Sequence, residues 1–386
     1  MQPKKLDASR DSLRKINRGT VLRLIATGQC YSRIDLSKRM GLTKTAISNI
    51  ISELMERNFL MQTEKKENAE LGRNPIGLDF SPQAPKIAGL LIMRSFCEAV
   101  LCDFKLHVLK RERINRVCET EAELQKTIFS LTDQILYQQE NVGAIGVACI
   151  GPLDSKLGRI GHPPFFHGIH DVEVQKLLQE RYHLPVFCDN DNQSAALAER
   201  LYGNGKNHED ILLVGLSEGV GCGIIIAGKP YQAFSGYTPE IGHMSIDYRG
   251  PICVCGNRGC LELYVNSASV LQRMQAATGK YYNYKTFCEL SDQPEIDEIL
   301  LDLTQKLRPA LVSVVNILNP GLIILGHDGV YWPDKYLKIL EDEINAYKFS
   351  SKDEKISVKK AFLGEKTGIL GAACNAIEHY FSGEML

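Results

Sequence analysis

Three cysteines and one histidine lie close together in residues 240–262, which read EIGHMSIDYRGPICVCGNRGCLE. Cys253 and Cys255 form a Cys-x-Cys pair, Cys260 follows after a loop with two glycines, and His243 precedes all three. Three thiolates and one imidazole are the ligands of a closed tetrahedral zinc site, so this spacing predicts a structural zinc ion. The alternative is three buried structural cysteines beside a surface histidine.

The composition is typical of a globular protein with more than one domain. A chain of 386 residues with 44% hydrophobic and 24% charged residues is long enough for two or three cores. Its start lacks the apolar core of a signal peptide, and no stretch has the roughly 18 apolar residues of a membrane span. We therefore expect a cytoplasmic protein without a membrane segment, in which clustered cysteines indicate metal rather than disulfides.

Charge is distributed unevenly along the chain. The formal net charge is -1, yet residues 1–60 hold twelve Lys and Arg against five Asp and Glu, a net charge of +7. The remaining residues therefore carry a net charge of -8. A basic N-terminal segment of this kind indicates a polyanionic partner such as DNA.

Two short helices joined by a glycine-containing turn are predicted inside the basic segment. Ser32 and Thr43 are suited to cap helices at residues 33–40 and 44–57, and Gly41 lies between them. This pattern predicts a helix-turn-helix. The start of the second helix carries small polar and basic side chains that can reach base edges and phosphates in a major groove, namely Thr43, Lys44, Thr45, Ser48 and Asn49.

A two-stranded wing is predicted after these helices, with a polar tip at residues 65–68. Arg73 is then placed beside a minor groove, where arginine responds to groove width. Residues 1–78 are thus predicted to form a winged helix-turn-helix. The alternative is a three-helix protein-interaction module with a solvated basic face. Residues 79–86 contain two prolines and no periodicity, and predict a linker.

From residue 87 onward, apolar strands alternate with amphipathic helices. The strand-like runs include AIGVACIG at 144–151, LPVFCDN at 184–190 and LIILG at 322–326, several of which end in glycine or an acid. This alternation predicts an α/β fold with its ligand groups at strand ends.

The cysteine-rich segment and three further motifs resemble the ROK family, which contains sugar kinases and sugar-responsive transcriptional regulators. CDNDNQSAALAE at 188–199 is similar to the family segment NDANAAALAE, GVGCGII at 219–225 to its second phosphate loop, and NPGLIILG at 319–326 to its nucleotide-side strand. The resemblance covers nearly the whole chain, and a winged helix-turn-helix ahead of this domain is the layout of the family's repressors.

The resemblance implies an actin-like, ribonuclease H-like domain of two lobes over residues 87–386. Lobe one covers about 87–205 together with the C-terminal helix, and lobe two covers about 206–365. The residues implied to bind a sugar are Asn190, Asp191, Glu240, His243 and Glu262. Asp191 would be the catalytic base if the chain were a kinase.

The chain departs from the kinase pattern where phosphate should lie against glycines. The departures are Leu91 for the family's acid, Met93 and Arg94 for two glycines, Ser95 for threonine, Ser217-Glu218 for Gly-Thr, and His327-Asp328 after Gly326. Bulky or negatively charged side chains in these positions oppose phosphate binding, so the sequence predicts a degenerate ATP site and no enzymatic activity.

The sugar side also departs from the family at two positions. Phe165 stands where asparagine often follows Pro-Pro, and Pro239 replaces the glycine before Glu240. Phe165 or its neighbour Phe166 is expected either to stack on an apolar sugar face or simply to fill the pocket.

These features together predict a sugar-responsive DNA-binding regulator, a repressor, that binds double-stranded operator DNA as a homodimer or a dimer of dimers. Two alternatives remain open from the sequence. One is an active kinase for a hexose or N-acetylhexosamine with a fused DNA-binding domain. The other is a regulator that binds no sugar and is controlled by a protein partner.

Overall fold

A computed structural model describes residues 10–63, 77–231, 233–349 and 353–386. Its N-terminal part contains three helices followed by two paired antiparallel strands. These elements are α1 (Arg10–Ala26), α2 (Arg33–Met40), α3 (Lys44–Glu56), β1 (Leu60–Thr63) and β2 (Gly77–Phe80). Three helices followed by a pair of strands are the elements that the sequence predicts for a winged helix-turn-helix.

Local side-chain chemistry sets the start of the second and third helices. The Ser32 hydroxyl accepts a hydrogen bond from the Asp35 amide, and the Thr43 hydroxyl accepts one from the Ala46 amide. Gly41 ends α2 at φ +65°, a left-handed conformation that suits glycine. The predicted caps and turn are therefore confirmed.

The strands β1 and β2 pair from Leu60 opposite Phe80 to Thr63 opposite Gly77. They occupy the position predicted for the base of a wing. The predicted tip at residues 65–68 and the predicted minor-groove residue Arg73 lie outside the described residues.

The linker predicted at residues 79–86 is shorter in the structure. Asp79 and Phe80 complete β2, and Lys86 begins the next strand, so five residues connect the two. Phe80 stacks on Phe104 with ring centroids 5.1 Å apart. Aromatic packing therefore holds this connection against the following domain.

The first lobe begins with an antiparallel strand pair and continues through alternating helices and strands. Its elements are β3 (Lys86–Ile92), β4 (Cys97–Cys102), β5 (Val108–Ile114), α4 (Glu121–Leu136), β6 (Val142–Cys149), β7 (Leu153–Asp154), β8 (Arg159–Ile160), α5 (Val174–Tyr182), β9 (Val186–Asn190) and α6 (Asp191–Tyr202).

The second lobe is richer in helix. Its elements are β10 (Ile211–Leu216), β11 (Val220–Ile226), β12 (Lys229–Pro230), α7 (Glu262–Val265), α8 (Ser267–Thr278), α9 (Tyr284–Glu289), α10 (Pro294–Leu318), β13 (Leu322–His327), α11 (Asp334–Tyr347) and β14 (Ser357–Lys360). The helix α12 (Thr367–Phe381) then returns to the first lobe.

Each lobe is built on a five-stranded sheet with the same topology. The strand orders are β5-β4-β3-β6-β9 and β12-β11-β10-β13-β14. In both sheets the first three strands in this order are antiparallel and the last two join in parallel. This duplicated mixed sheet is the actin-like arrangement of the predicted α/β fold.

Helices α12 and α6 form two layers between the sheets. The first packs on β3 and β6, the second on β10 and β11, and the two helices pack on each other. Asn375 on α12 donates hydrogen bonds from Nδ2 to the Val147 carbonyl and to the Ser194 hydroxyl, both at 2.8 Å. A buried amide with two partners fixes the position of α12 between the lobes.

The far end of α12 contacts the N-terminal helices. A Cβ atom placed on Gly19 of α1 would lie closer than 3.0 Å to the Phe381 carbonyl oxygen and the Gly383 amide nitrogen. Phe59 and Phe104 both pack on Tyr380, with ring centroids 6.0 and 5.0 Å away. The N-terminal unit and the first lobe therefore share one hydrophobic core.

Among the described residues, every helix is too short or too polar to cross a membrane.

Candidate functional site

A cleft opens between the two lobes where β9 ends and α6 begins. Asn190 caps α6, because its side-chain oxygen accepts the Asn192 amide at 2.9 Å. The helix therefore begins at Asp191. The cap places Asn190 and Asp191 at the end of a parallel strand, where α/β folds present ligand groups.

All five predicted sugar-binding residues line this one cleft. Its volume is about 620 Å³ when the part open to solvent is included. Asn190 and Asp191 come from the first lobe. Glu240, His243 and Glu262 come from the second lobe. Carboxylates, an amide and an imidazole on two facing walls can both accept and donate hydrogen bonds, as vicinal hydroxyls require.

Asp191 contacts His327, which the sequence indicated only as an interruption of a glycine run. His327 Nε2 lies 3.1 Å from Asp191 Oδ2; the Asp191 side chain is buried and that of His327 is 14% exposed. The contact has ion-pair distance but not the angle of a hydrogen bond. Asn192 Nδ2 donates to both oxygens of Asp191 at 3.2 Å. Asp191 is thus already engaged on two sides.

Charge in the cleft is coupled across the two lobes. Burial opposes a charge on His327, but Asp191 and Asp328 outweigh this effect and raise the pKa of His327. Burial, followed by the negative charges of Asp191 and Glu262, raises the pKa of Glu240 to about 7. The positive charge of Arg94 acts in the opposite direction. The Glu240 side chain still faces solvent in the cleft, and water there moderates these interactions.

Arg94 and Met93, which the sequence predicts to replace two family glycines, line the cleft. The Arg94 Nε donates to the Pro164 carbonyl at 3.0 Å. Glu262 accepts the Val220 amide at 3.0 Å and so fixes the opposite wall. Two bulky side chains therefore form part of this wall of the cleft.

Neither phenylalanine after Pro164 lines the cleft. Phe165 is 74% exposed at φ +58°, and Phe166 is 2% exposed in the core of the first lobe. The prediction that one of them stacks on a sugar or fills the pocket is wrong. The loop turns the Phe165 side chain toward solvent and buries that of Phe166 in the core of the first lobe.

The predicted metal ligands His243, Cys253, Cys255 and Cys260 converge, with all donor atoms within 4.8 Å of one another. Cys253 Sγ lies 3.6 Å from His243 Nδ1, and Cys255 Sγ lies 3.6 Å from Cys260 Sγ. Ligands 2.0–2.3 Å from a tetrahedral zinc are about 3.5–3.7 Å apart, so the donor set fits this ion.

The backbone of the cysteine loop shows why its glycines are needed. Gly256 and Gly259 adopt φ +89° and φ +62°. A Cβ on Gly259 would overlap the Asp247 carbonyl oxygen. The Gly256 amide donates to the Cys253 carbonyl at 2.9 Å, which closes the turn. These tight turns direct three thiols to one point beside the cleft.

The predicted DNA-contacting residues lie at the start of α3 and before it. Thr43, Lys44, Thr45 and Asn49 are exposed, and Ser48 is half-buried. The opposite face of α3 is buried through Ile47, Ile51 and Leu54, while Ile50 is only half-buried. The polar face is thus free for a groove while the apolar face holds the helix in place.

The chain belongs to the ROK family, whose pattern matches residues 91–379. It is 28% identical over 381 residues to the xylose repressor of Bacillus subtilis strain 168, covering 97% of this chain and 98% of that protein. It is 26% identical over 378 residues to the DNA-binding transcriptional repressor Mlc of Escherichia coli K12, covering 94% and 93%.

Solved structures of the family superpose on both lobes. A ROK family transcriptional regulator, a homologue of the Escherichia coli protein Mlc, has a TM-score of 0.79 and 25% identity, covering 97% of this chain and 98% of that chain. A ROK hexokinase from Thermus thermophilus has a TM-score of 0.63 and 26% identity, covering 75% of this chain and 97% of that one.

Proposed function

We propose that the protein is a transcriptional repressor that binds operator DNA through α3 and a wing and changes its affinity when a sugar occupies the cleft. One observation supports this proposal: the five predicted sugar-binding residues line one cleft, while His327 contacts Asp191, the residue that a kinase would need as a base. Likeness over the full length to named repressors supports it.

We place the domain boundaries near residues 78 and 86, with the DNA-binding head before them and the sugar-binding domain after them. The head would act in the cytoplasm on a two-fold operator, so we propose a homodimer or a dimer of dimers. Thr43, Lys44, Thr45, Ser48 and Asn49 would contact the major groove, with Arg73 at the minor groove.

In this proposal the cysteine loop holds one structural zinc ion through His243, Cys253, Cys255 and Cys260. The ion would supply a rigid cross-link and no reaction step. His243 turns Nδ1 toward Cys253, so its Nε2 remains on the other side of the ring. The zinc would thereby hold one wall of the sugar cleft in shape.

Helix α12 is the proposed route from cleft to head. One end carries Gly368, whose added Cβ would lie 3.7 Å from the His327 ring, and the other end contacts α1 at Gly19. Closure of the lobes on a sugar would shift α12, and with it the head. A tenfold preference of the sugar for one state supplies about 1.4 kcal/mol per site.

We expect operator binding to respond to a sugar in the wild-type protein and to need a higher sugar concentration in Glu240→Gln, because the amide replaces a carboxylate acceptor in the cleft. Fluorescence anisotropy of labelled operator DNA would be measured with and without D-xylose, D-glucose and N-acetylglucosamine. Glu240→Gln should keep its DNA affinity and lose at least about tenfold in sugar potency.

Glu218→Gln is the matched control, since Glu218 is an exposed acid that does not line the cleft. It should behave as wild type does. Full sugar response in Glu240→Gln would refute the cleft as the effector site. Identical operator binding with and without every sugar would instead favour control by a protein partner.

We expect no phosphorylation of the same sugars in a coupled ADP-release assay, because Arg94 and Met93 occupy the phosphate side and Asp191 is paired with His327. The His327→Gly variant should free Asp191 yet remain inactive, because the phosphate side stays obstructed. Wild-type turnover that Asp191→Asn abolishes would show that the protein is a kinase.

A further inference from the structure

A loop of the first lobe carries a second group of side chains of the types that can bind metal ions. This group is remote from the cysteines in sequence. The loop spans residues 161–171 and is closed at its neck by main-chain hydrogen bonds. Ile160 and Val172 exchange two of these bonds, at 3.0 and 3.2 Å, and the Asp171 amide donates to the Gly161 carbonyl at 3.1 Å. The backbone therefore holds the two ends of the loop side by side.

Three side chains meet at this neck. His162 Nε2 lies 3.3 Å and His170 Nδ1 lies 3.1 Å from the same oxygen, Oδ2 of Asp171. The two imidazole rings stack with centroids 4.5 Å apart and planes inclined by 20°. Arg159 Nη1 lies 3.6 Å from the other oxygen, Oδ1. Arginine thus orients the carboxylate and leaves Oδ2 to the histidines.

The separations match those of a metal site. Nitrogen and oxygen ligands at 2.0–2.2 Å from an ion lie about 2.9–3.5 Å apart in octahedral or tetrahedral geometry. All three side chains are exposed, so water can complete the coordination. Two imidazoles and one carboxylate without a thiolate favour ions such as Ni²⁺, Cu²⁺ and Zn²⁺ over Ca²⁺ or Mg²⁺.

We propose that His162, His170 and Asp171 bind one divalent transition-metal ion, distinct from the ion of the cysteine loop. The site lies on the surface and lacks sulfur, so the ion exchanges readily. The same loop contains Pro164, which lines the cleft and accepts the Arg94 hydrogen bond. An ion at the neck would therefore stiffen one border of the cleft. This proposed metal site does not depend on sugar binding in the cleft.

The test is calorimetric titration of the untagged full-length protein with Ni²⁺, after its zinc content has been measured. We expect one equivalent of Ni²⁺ to bind without loss of zinc. His170→Ala and His162→Ala should each weaken this binding by at least about tenfold. His167→Ala is the matched control, because His167 is an exposed histidine of the same loop outside the cluster, and it should bind as wild type does.

Three results would overturn the proposal. In the first, the wild-type protein binds no more Ni²⁺ than a double variant with His162→Ala and His170→Ala. In the second, His167→Ala weakens Ni²⁺ binding as much as the other two substitutions do. In the third, the protein releases one zinc ion for each nickel ion that it binds. The substituted side chains are on the surface, and circular dichroism of each variant would verify that the fold is retained.

Discussion

Cys255→Ser is expected to abolish binding of one equivalent of zinc and to lower the thermal midpoint by on the order of 5 °C. Cys255 is exposed, unlike Cys253 and Cys260, so serine removes a thiolate ligand without removing buried packing. Loss of the metal should release the loop that carries His243. Zinc would be measured by mass spectrometry after dialysis, and stability by scanning calorimetry.

The control for this experiment is Cys288→Ser. Cys288 is a buried cysteine of the second lobe outside the metal cluster, so its substitution tests burial of a polar atom alone. It should cost some stability and keep the zinc. A Cys255→Ser protein that retains one tightly held zinc after dialysis would contradict the proposed ligand set.

Loss of the zinc should also disturb the proposed effector cleft, because His243 both lines the cleft and belongs to the cysteine cluster. In Cys255→Ser, sugar potency in the operator assay is expected to fall, while DNA affinity in the absence of sugar stays near that of wild type. If DNA affinity fell instead, the metal would support the fold as a whole rather than the cleft wall.

Gly19→Ala is expected to destabilise the protein by about 1–3 kcal/mol, the cost of forcing a methyl group into a packed contact. In a solvent-exposed helix the same change stabilises by about 1 kcal/mol. Here the new methyl group would meet the backbone of Phe381, the last residue of α12, and of Gly383 just beyond it. The sign of the change therefore reports whether α1 and α12 are in close contact, and urea denaturation would measure it.

The same variant tests the proposed route of the signal. Separation of α1 from α12 should weaken the effect of sugar on operator binding, while the face of α3 that is predicted to contact DNA is unchanged. Arg14→Ala, an exposed position on the same helix, should leave both stability and sugar response near wild type. A Gly19→Ala protein with a full sugar response would place the coupling somewhere other than this contact.

Much of the local structure was predictable because its causes are short-range. The hydroxyls of Ser32 and Thr43 start helices whichever domain they belong to, and the spacing of Cys253, Cys255 and Cys260 is short enough for the glycine turns to bring the thiols together. The apolar runs similarly predict the strands of both sheets.

Errors arose where packing overrode a local signal. The prolines of segment 79–86 predict a linker over all eight residues, but strand pairing takes up Asp79, Phe80 and Lys86, and Phe80 stacks on Phe104. Phe165 and Phe166 are equivalent by sequence, and only the turn of the loop exposes one and buries the other.

From the sequence one could predict most of the helices and strands, the close approach of His243 to the three cysteines, and the polar residues that end the strands. The contact of His327 with Asp191, the packing of α12 from the cleft to α1, and the contact of His162 with Asp171 appear only in the folded protein. They differ because these residues lie far apart along the chain. Caps and turns act within a few residues, whereas these contacts join segments whose separation is set only when the sheets and helices pack.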